Sequence, residues 1–160
     1  MGGGLFSEII ILIHVWATLL ITGVIWFLQI VHYPLLQHVT RDGFSHYIYK
    51  HSQRAGFVIA PLMLLETLTA VLLLWWAPAE IPFEVVWLGL GLIVVILAVT
   101  TFLQVPQLEK LTYGFKEEAF SALVRNHWLR TVIWTLRSLL VLWILIQADL
   151  SILRSLLILY

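Results

Sequence analysis

The sequence predicts an all-α fold: an integral membrane four-helix bundle built from two parallel two-helix repeats, with short amphipathic helices in its two cytoplasmic loops. Three observations predict it. Of 160 residues, 61% are hydrophobic and 11% charged, against about 45–50% and about 25% in soluble domains. The apolar residues fall into four long blocks, and mean hydropathy is +0.98. A motif of scarce polar residues occurs twice.

The same composition excludes several functions. Nine Lys and Arg balance nine Asp and Glu, so no basic face exists to meet nucleic acid. The chain has no cysteine, which removes disulfides, thiolate metal sites, iron–sulfur clusters and cysteine nucleophiles. A soluble enzyme and a disordered chain are excluded by the apolar blocks. The length fits one domain, 1–160, with a first repeat at about 9–77, a second at about 85–148 and a tail at 149–160.

The four spans run at about Ile9–Val31, Phe57–Ala77, Val85–Val105 and Trp128–Ala148. Each is long enough to cross about 30 Å of hydrocarbon as a helix. A barrel strand would alternate in polarity, and the run from Val85 to Val99 does not. The first span lacks the positive leader and small-residue site of a cleaved signal peptide. Phe6 stands where a myristoylation signal needs Ser or Thr. Tyr33-Pro34 is expected to end the first helix. Asp42 is expected to cap a loop helix through about Arg54. Gly114 can end an extension of the third helix. Beyond it, Phe115, Ala119, Phe120, Leu123 and Val124 share one face of a second amphipathic helix. The tail, Leu150–Tyr160, either continues the fourth helix or lies in the outer interface.

Orientation follows from the loop cations. The two long loops hold Arg41, Lys50, Arg54, Lys110, Lys116, Arg125 and Arg130, whereas the opposite side holds only Arg154. The long loops therefore face the cytoplasm. Both termini and the short acidic Pro78–Glu84 loop, with Glu80 and Glu84, face outward, across a cell inner (plasma) membrane.

Phe27-Leu28-Gln29 recurs as Phe102-Leu103-Gln104, a shift of 75 residues. Phe44-Ser45, His51 and Arg54 recur as Phe120-Ser121, His127 and Arg130, a shift of 76. The repeat predicts a pseudo-two-fold axis along the membrane normal, bringing Gln29, His51 and Arg54 near Gln104, His127 and Arg130.

Ionisable groups inside spans are costly and are site candidates by default. Glu66 and Arg137 each lie nine residues into a span, about 14 Å deep. Equal depth suggests a buried ion pair, either a structural pin or a site in which Glu66 is a base or ligand and Arg137 its electrostatic partner. His32 shares a helix face with Gln29. His14 reads as a packing residue or a ligand, and His38 and His46 as interfacial residues. His127, Arg130, Trp134 and Arg137, spaced three, four and three apart, form one stripe. Its bland reading is an interfacial anchor followed by the ion pair.

No nucleophile elbow, phosphate loop or paired-histidine helix motif is present. A metal would need the dispersed set His32, His51, His127 and Glu66, whose donors suit iron, copper or zinc. Haem would use His51 and His127 as axial ligands, with Arg54 and Arg130 for its propionates. The same two Arg and two His equally make an anion site for a lipid head group or an acidic quinone-like or polyketide-like substrate.

The segments Gln29-Ile-Val-His32-Tyr33-Pro34, His51-x-x-Arg54, Pro61-x-Met-x-x-Glu66 and Asn126-His-Trp128 through Arg137 resemble a family of small bacterial four-span membrane proteins. That resemblance implies the fold and no particular activity. The closing segment is also similar to anthrone-oxygenase-like membrane proteins, which implies cofactor-free oxygenation of aromatic substrates. His14, Gly23 and Trp26 resemble the first helix of four-span haem proteins that oxidise protoporphyrinogen, but their later lysine-bearing motif has no counterpart here.

Three functions remain open on the sequence. One is a membrane protein that binds a cofactor or an amphiphilic ligand, a hydrophobic small molecule with a polar group, in a polar site at the cytoplasmic half of the bundle, with a redox role. The others are a non-catalytic subunit or assembly factor of a larger membrane complex, and a small transporter acting as a homo-oligomer.

Overall fold

A computed structural model describes residues 2–158, with side chains at 4–148. Among them every regular element is a helix. Helix α1 runs Gly2–Phe27 and continues through a π-turn, Leu28–His32, into Tyr33–Leu36. Helix α2 is Arg41–Trp76. Helix α3 runs Phe83–Val99 and continues through a second π-turn, Thr100–Gln104, into Val105–Thr112. Helix α4 is Glu117–Ile158. Each packs against its neighbours in sequence, and α4 returns to α1. Four helices are long and apolar enough to cross a membrane.

Pro34 does not end the first helix, and the reason is the π-turn. In α geometry Pro34 would clash with the carbonyl four residues back and leave it without a donor. Widening the turn removes that conflict: the Tyr33 N–H reaches Leu28 O, five residues back. The third helix repeats the solution one residue before Pro106, where the Val105 N–H reaches Thr100 O.

The loops differ from the expected short amphipathic helices. Residues 42–54 are the first turns of α2, and the N-cap position is Thr40 rather than Asp42. Residues 117–125 are likewise the first turns of α4. The loop helix and the span merge into one rod at each junction, and α2 continues even through Pro61, four residues into its span. Gly114 does end α3: its φ of 134° lies where side chains are strained. The fourth helix extends through the tail to Ile158, and residues 159–160 lie outside the described residues.

Three apolar clusters stack along the bundle. Ile11, Leu73, Val86 and Val141 fill the end bearing the α2–α3 connection. Ile21, Ile25, Ile96 and Trp134 fill the middle. Tyr33, Leu36, Phe44, Ile48, Leu111 and Phe120 fill the end bearing the α1–α2 and α3–α4 connections, called here the loop end. There Phe115 packs edge-to-face on Phe44 and at a tilt on Phe120, with ring centroids 4.9 and 5.6 Å away. Outward faces are apolar too: Trp16, Phe57, Leu64, Val94 and Phe102 are exposed. The strongly polar side chains Glu66, Arg137, His14, Gln29, Gln104 and His127 are buried.

Candidate functional site

The buried polar groups form two layers. The middle layer is built on Glu66 and Arg137, which meet as an ion pair with relative exposures of 1% and 0%. The Arg137 guanidinium uses all three nitrogens. Nε donates to Glu66 Oε1, Nη1 to the Gly89 carbonyl, and Nη2 to His14 Nε2 at 3.1 Å. A glycine on α3 eases this approach, since a Cβ at position 89 would stand 3.3 Å from Nη1, closer than ordinary van der Waals contact.

That geometry fixes the state of His14. A guanidinium only donates, so His14 Nε2 must accept. The imidazole proton is therefore on Nδ1, which donates to Thr69 Oγ1 at 2.8 Å. The Thr69 hydroxyl in turn donates to the carbonyl of Leu65, 2.9 Å away. Thr18 donates to the His14 carbonyl at 2.8 Å, and Thr22 shares a 2.7 Å hydrogen bond with Ser138. A cavity beside Arg137, bounded by His14, Gly89 and Leu140, measures about 10 Å³. That is room for about one water molecule.

The second layer lies toward the loop end. His127 is fully buried, and its Nδ1 donates to Gln29 Oε1 at 2.8 Å. Tyr33 stands edge-on to the His127 ring, with centroids 4.7 Å apart. One turn further along α4, Arg130 is 6% exposed. It forms no ion pair, because the Glu66–Arg137 contact is the only one among the described residues. The stripe His127, Arg130, Trp134 and Arg137 thus faces inward along its whole length. It is no interfacial anchor, whereas Trp128, beside it in sequence, is 43% exposed.

His32 stacks on His51, with centroids 4.2 Å apart, and more loosely on Tyr47. His51 also lines an open groove of about 530 Å³ with Val39, His46, Tyr47, Lys50 and Arg54. The groove wall is one face of α2, with residues three and four apart. Its charged groups are Lys50 and Arg54, and no carboxylate lines it.

Among the described residues, five buried side-chain atoms find no hydrogen-bond partner: His32 Nε2, Gln104 Oε1, His127 Nε2, Arg130 Nε and Trp134 Nε1. All lie on the loop-end side of the Glu66–Arg137 layer, and none belongs to it.

The structure therefore gathers only part of the set predicted from the repeat. Gln29 and His127 meet. Arg130 lies beside Tyr33, while its counterpart Arg54 is exposed on the groove. Gln104 is buried, but its amide donates to the Leu123 carbonyl at 3.4 Å rather than to His51. The two halves differ because the π-turns and prolines match at a shift of 72 residues, whereas the glutamines match at 75.

The metal set His32, His51, His127 and Glu66 does not converge. Among the described residues no three His, Asp or Glu stand close enough to share an ion. Glu66 is fifteen residues from His51 on one continuous helix, about 22 Å away. Haem held between His51 and His127 does not fit either. The His127 ring is fully buried against Tyr33 and Gln29, and the groove lined by His51 does not reach it.

Four contributors were not singled out for these roles in the sequence: Thr18, Thr69 and Gly89 around Arg137, and Tyr33 against His127. A signal existed for the hydroxyls. His14, Thr18 and Thr22 are spaced four apart on α1, and Glu66 and Thr69 three apart on α2. Gly89 carried no such mark. In comparisons with known proteins the chain matches no family, no curated protein and no solved structure.

Proposed function

We propose that this is a multi-pass membrane protein that holds an amphiphilic ligand in the polar layer at the loop end of a bundle of two tandem repeats. The observation that carries the reading is the placement of unpartnered polar atoms. A buried donor or acceptor left unmade costs about 1–3 kcal/mol, and proteins leave few of them. Here all five lie on the loop-end side of the Glu66–Arg137 layer, and one of them belongs to His32, which stacks on His51 of the open groove, while the middle layer is bonded throughout.

Membrane insertion is supported by the distribution of side chains, apolar outside and charged inside. The seven loop-end cations support a cytoplasmic position for that end. If Arg137 marks the bilayer midplane, His127 lies ten residues away, about 15 Å. That is the edge of a hydrocarbon layer about 30 Å thick. An amphiphile whose tail lies in lipid would present its polar head at this depth. Tandem duplication is supported by the two proline-linked π-turns and by Phe44 and Phe120 in one cluster.

In this reading Glu66 and Arg137 clamp α2, α3 and α4 together, with α1 joined through His14, and take no part in chemistry. The binding residues are His32, His51, His127, Arg130 and Tyr47. The test is to purify the full chain from its native membrane in mild detergent and analyse the organic extract by mass spectrometry. We expect one amphiphile near equimolar amount in the wild type, and a several-fold lower amount after His51→Ala with Tyr47→Ala. Equal, trace-level lipid profiles in both samples would overturn the reading. Stoichiometric recovery of large protein partners in place of a ligand would favour the subunit reading.

A further inference from the structure

We infer that the ligand head carries an oxyanion, phosphate or carboxylate, for which Arg130 is the built-in counterion. The inference rests on the amphiphile reading and names the chemistry of its head.

Arg130 is 94% shielded, with 6% exposed, and its guanidinium Nε is buried with no hydrogen-bond partner among the described residues. The other buried guanidinium, Arg137, spends every nitrogen on a partner. A buried charge without a partner is unstable, and proteins pair or neutralise it. The ionisable groups that interact with Arg130 are Tyr33 and His127. A phenol and an imidazole supply no negative charge at neutral pH. The missing partner is thus an anion, and the bundle contains none at this level.

The neighbouring orphan atoms narrow the chemistry. Arg130 Nε and Trp134 Nε1, four residues apart on one face, are donors only, and they call for acceptor oxygens. His127 Nδ1 is committed to Gln29, so its Nε2 offers a lone pair when neutral and a hydrogen when protonated. A head bearing a charged oxygen, such as a phosphate monoester, supplies the acceptor that the guanidinium lacks. The groove outside adds Lys50 and Arg54 and no carboxylate, so its field draws the same charge. A free phosphate ion and a lipid phosphate share this head chemistry.

The test titrates the full chain, in zwitterionic detergent, with four probes: a short-chain phosphatidic acid, the matching phosphatidylcholine, the matching uncharged diacylglycerol and inorganic phosphate. Affinity and thermal stability are read for wild type, Arg130→Gln, Arg130→Lys and the exposed control Arg125→Gln. We expect phosphatidic acid to bind and stabilise the wild type, and to bind Arg130→Gln about tenfold or more weakly. Arg125→Gln should stay within about twofold of wild type. Without ligand, Arg130→Gln should be at least as stable as wild type, because an unpaired buried charge is gone. If that variant fails to fold, Arg130→Lys keeps the charge, loses the fork and should show an intermediate loss.

Equal binding of all three amphiphiles, indifferent to position 130, would overturn the oxyanion claim and leave the amphiphile reading standing. Arg130-dependent binding of inorganic phosphate with no gain from acyl chains would do the reverse. Binding of none of the four would end both.

Discussion

Arg137 and His14, 123 positions apart in the chain, are joined by a 3.1 Å hydrogen bond in which the guanidinium donates and the imidazole accepts. That one contact ties the fourth helix to the first and leaves His14 neutral, its proton on Nδ1. Nitrogen-15 NMR of histidine-labelled protein checks this directly. We expect a His14 signal with a protonated Nδ1 and a bare Nε2, changed by Arg137→Leu. A protonated Nε2 in the wild type would contradict the network.

Glu66 and Arg137 should be strongly coupled. Removing one partner leaves the other charge buried, at a cost of about 3–5 kcal/mol. Glu66→Leu and Arg137→Leu should therefore each lower stability by that order. The double variant should cost clearly less than their sum, as read from unfolding in detergent. Exchanging the charges (Glu66→Arg with Arg137→Glu) should not restore stability, because Gly89 O and His14 Nε2 need a donor on α4. Additive single effects would show that the pair is not the core of this layer.

Gly89→Ala and Gly91→Ala should differ in sign. A Cβ at 89 meets Arg137 Nη1 at 3.3 Å, and the guanidinium is held by three partners, so it cannot yield. We expect a loss of about 1–3 kcal/mol. A Cβ at 91 meets nothing within 4 Å, so alanine there should be neutral or stabilising by up to about 1 kcal/mol. Thermal unfolding of the two variants decides it.

Gln29→Leu should be worse than Gln104→Leu, although the two glutamines correspond in the motif. Gln29 accepts a 2.8 Å bond from His127, and its loss strands a buried N–H, costing about 1–3 kcal/mol. Gln104 makes one long bond of 3.4 Å and leaves its oxygen unpartnered. Its replacement should cost less than about 1 kcal/mol. The same unfolding measurement compares them.

The spans were legible because hydrophobic length is a one-dimensional quantity. Val85–Val105 needed no tertiary information to be read as a helix. The Glu66–Arg137 pair was legible from equal depth, since two opposite charges in hydrocarbon have few alternatives to each other. Pro34 misled because its rule describes α geometry, and a π-turn satisfies the backbone another way. The role of His14 was illegible alone: its partner Thr69 lies 55 positions away, and only packing brings Arg137 to it. The motif placed His51 and His127 as equivalents, but one stacks on His32 at a groove and the other is sealed against Tyr33. A repeat fixes which residues are present twice, and side-chain neighbours then make the copies unequal.

The two π-turns also mark where these helices tolerate a change of length. A π-turn holds one residue more than an α-turn needs. Deleting a residue within Leu28–His32 or Thr100–Gln104 would let the ladder close in ordinary register, with the faces above and below still aligned. Anywhere else in either of these two helices, the same deletion would swing everything beyond it by about 100° and turn its buried face outward.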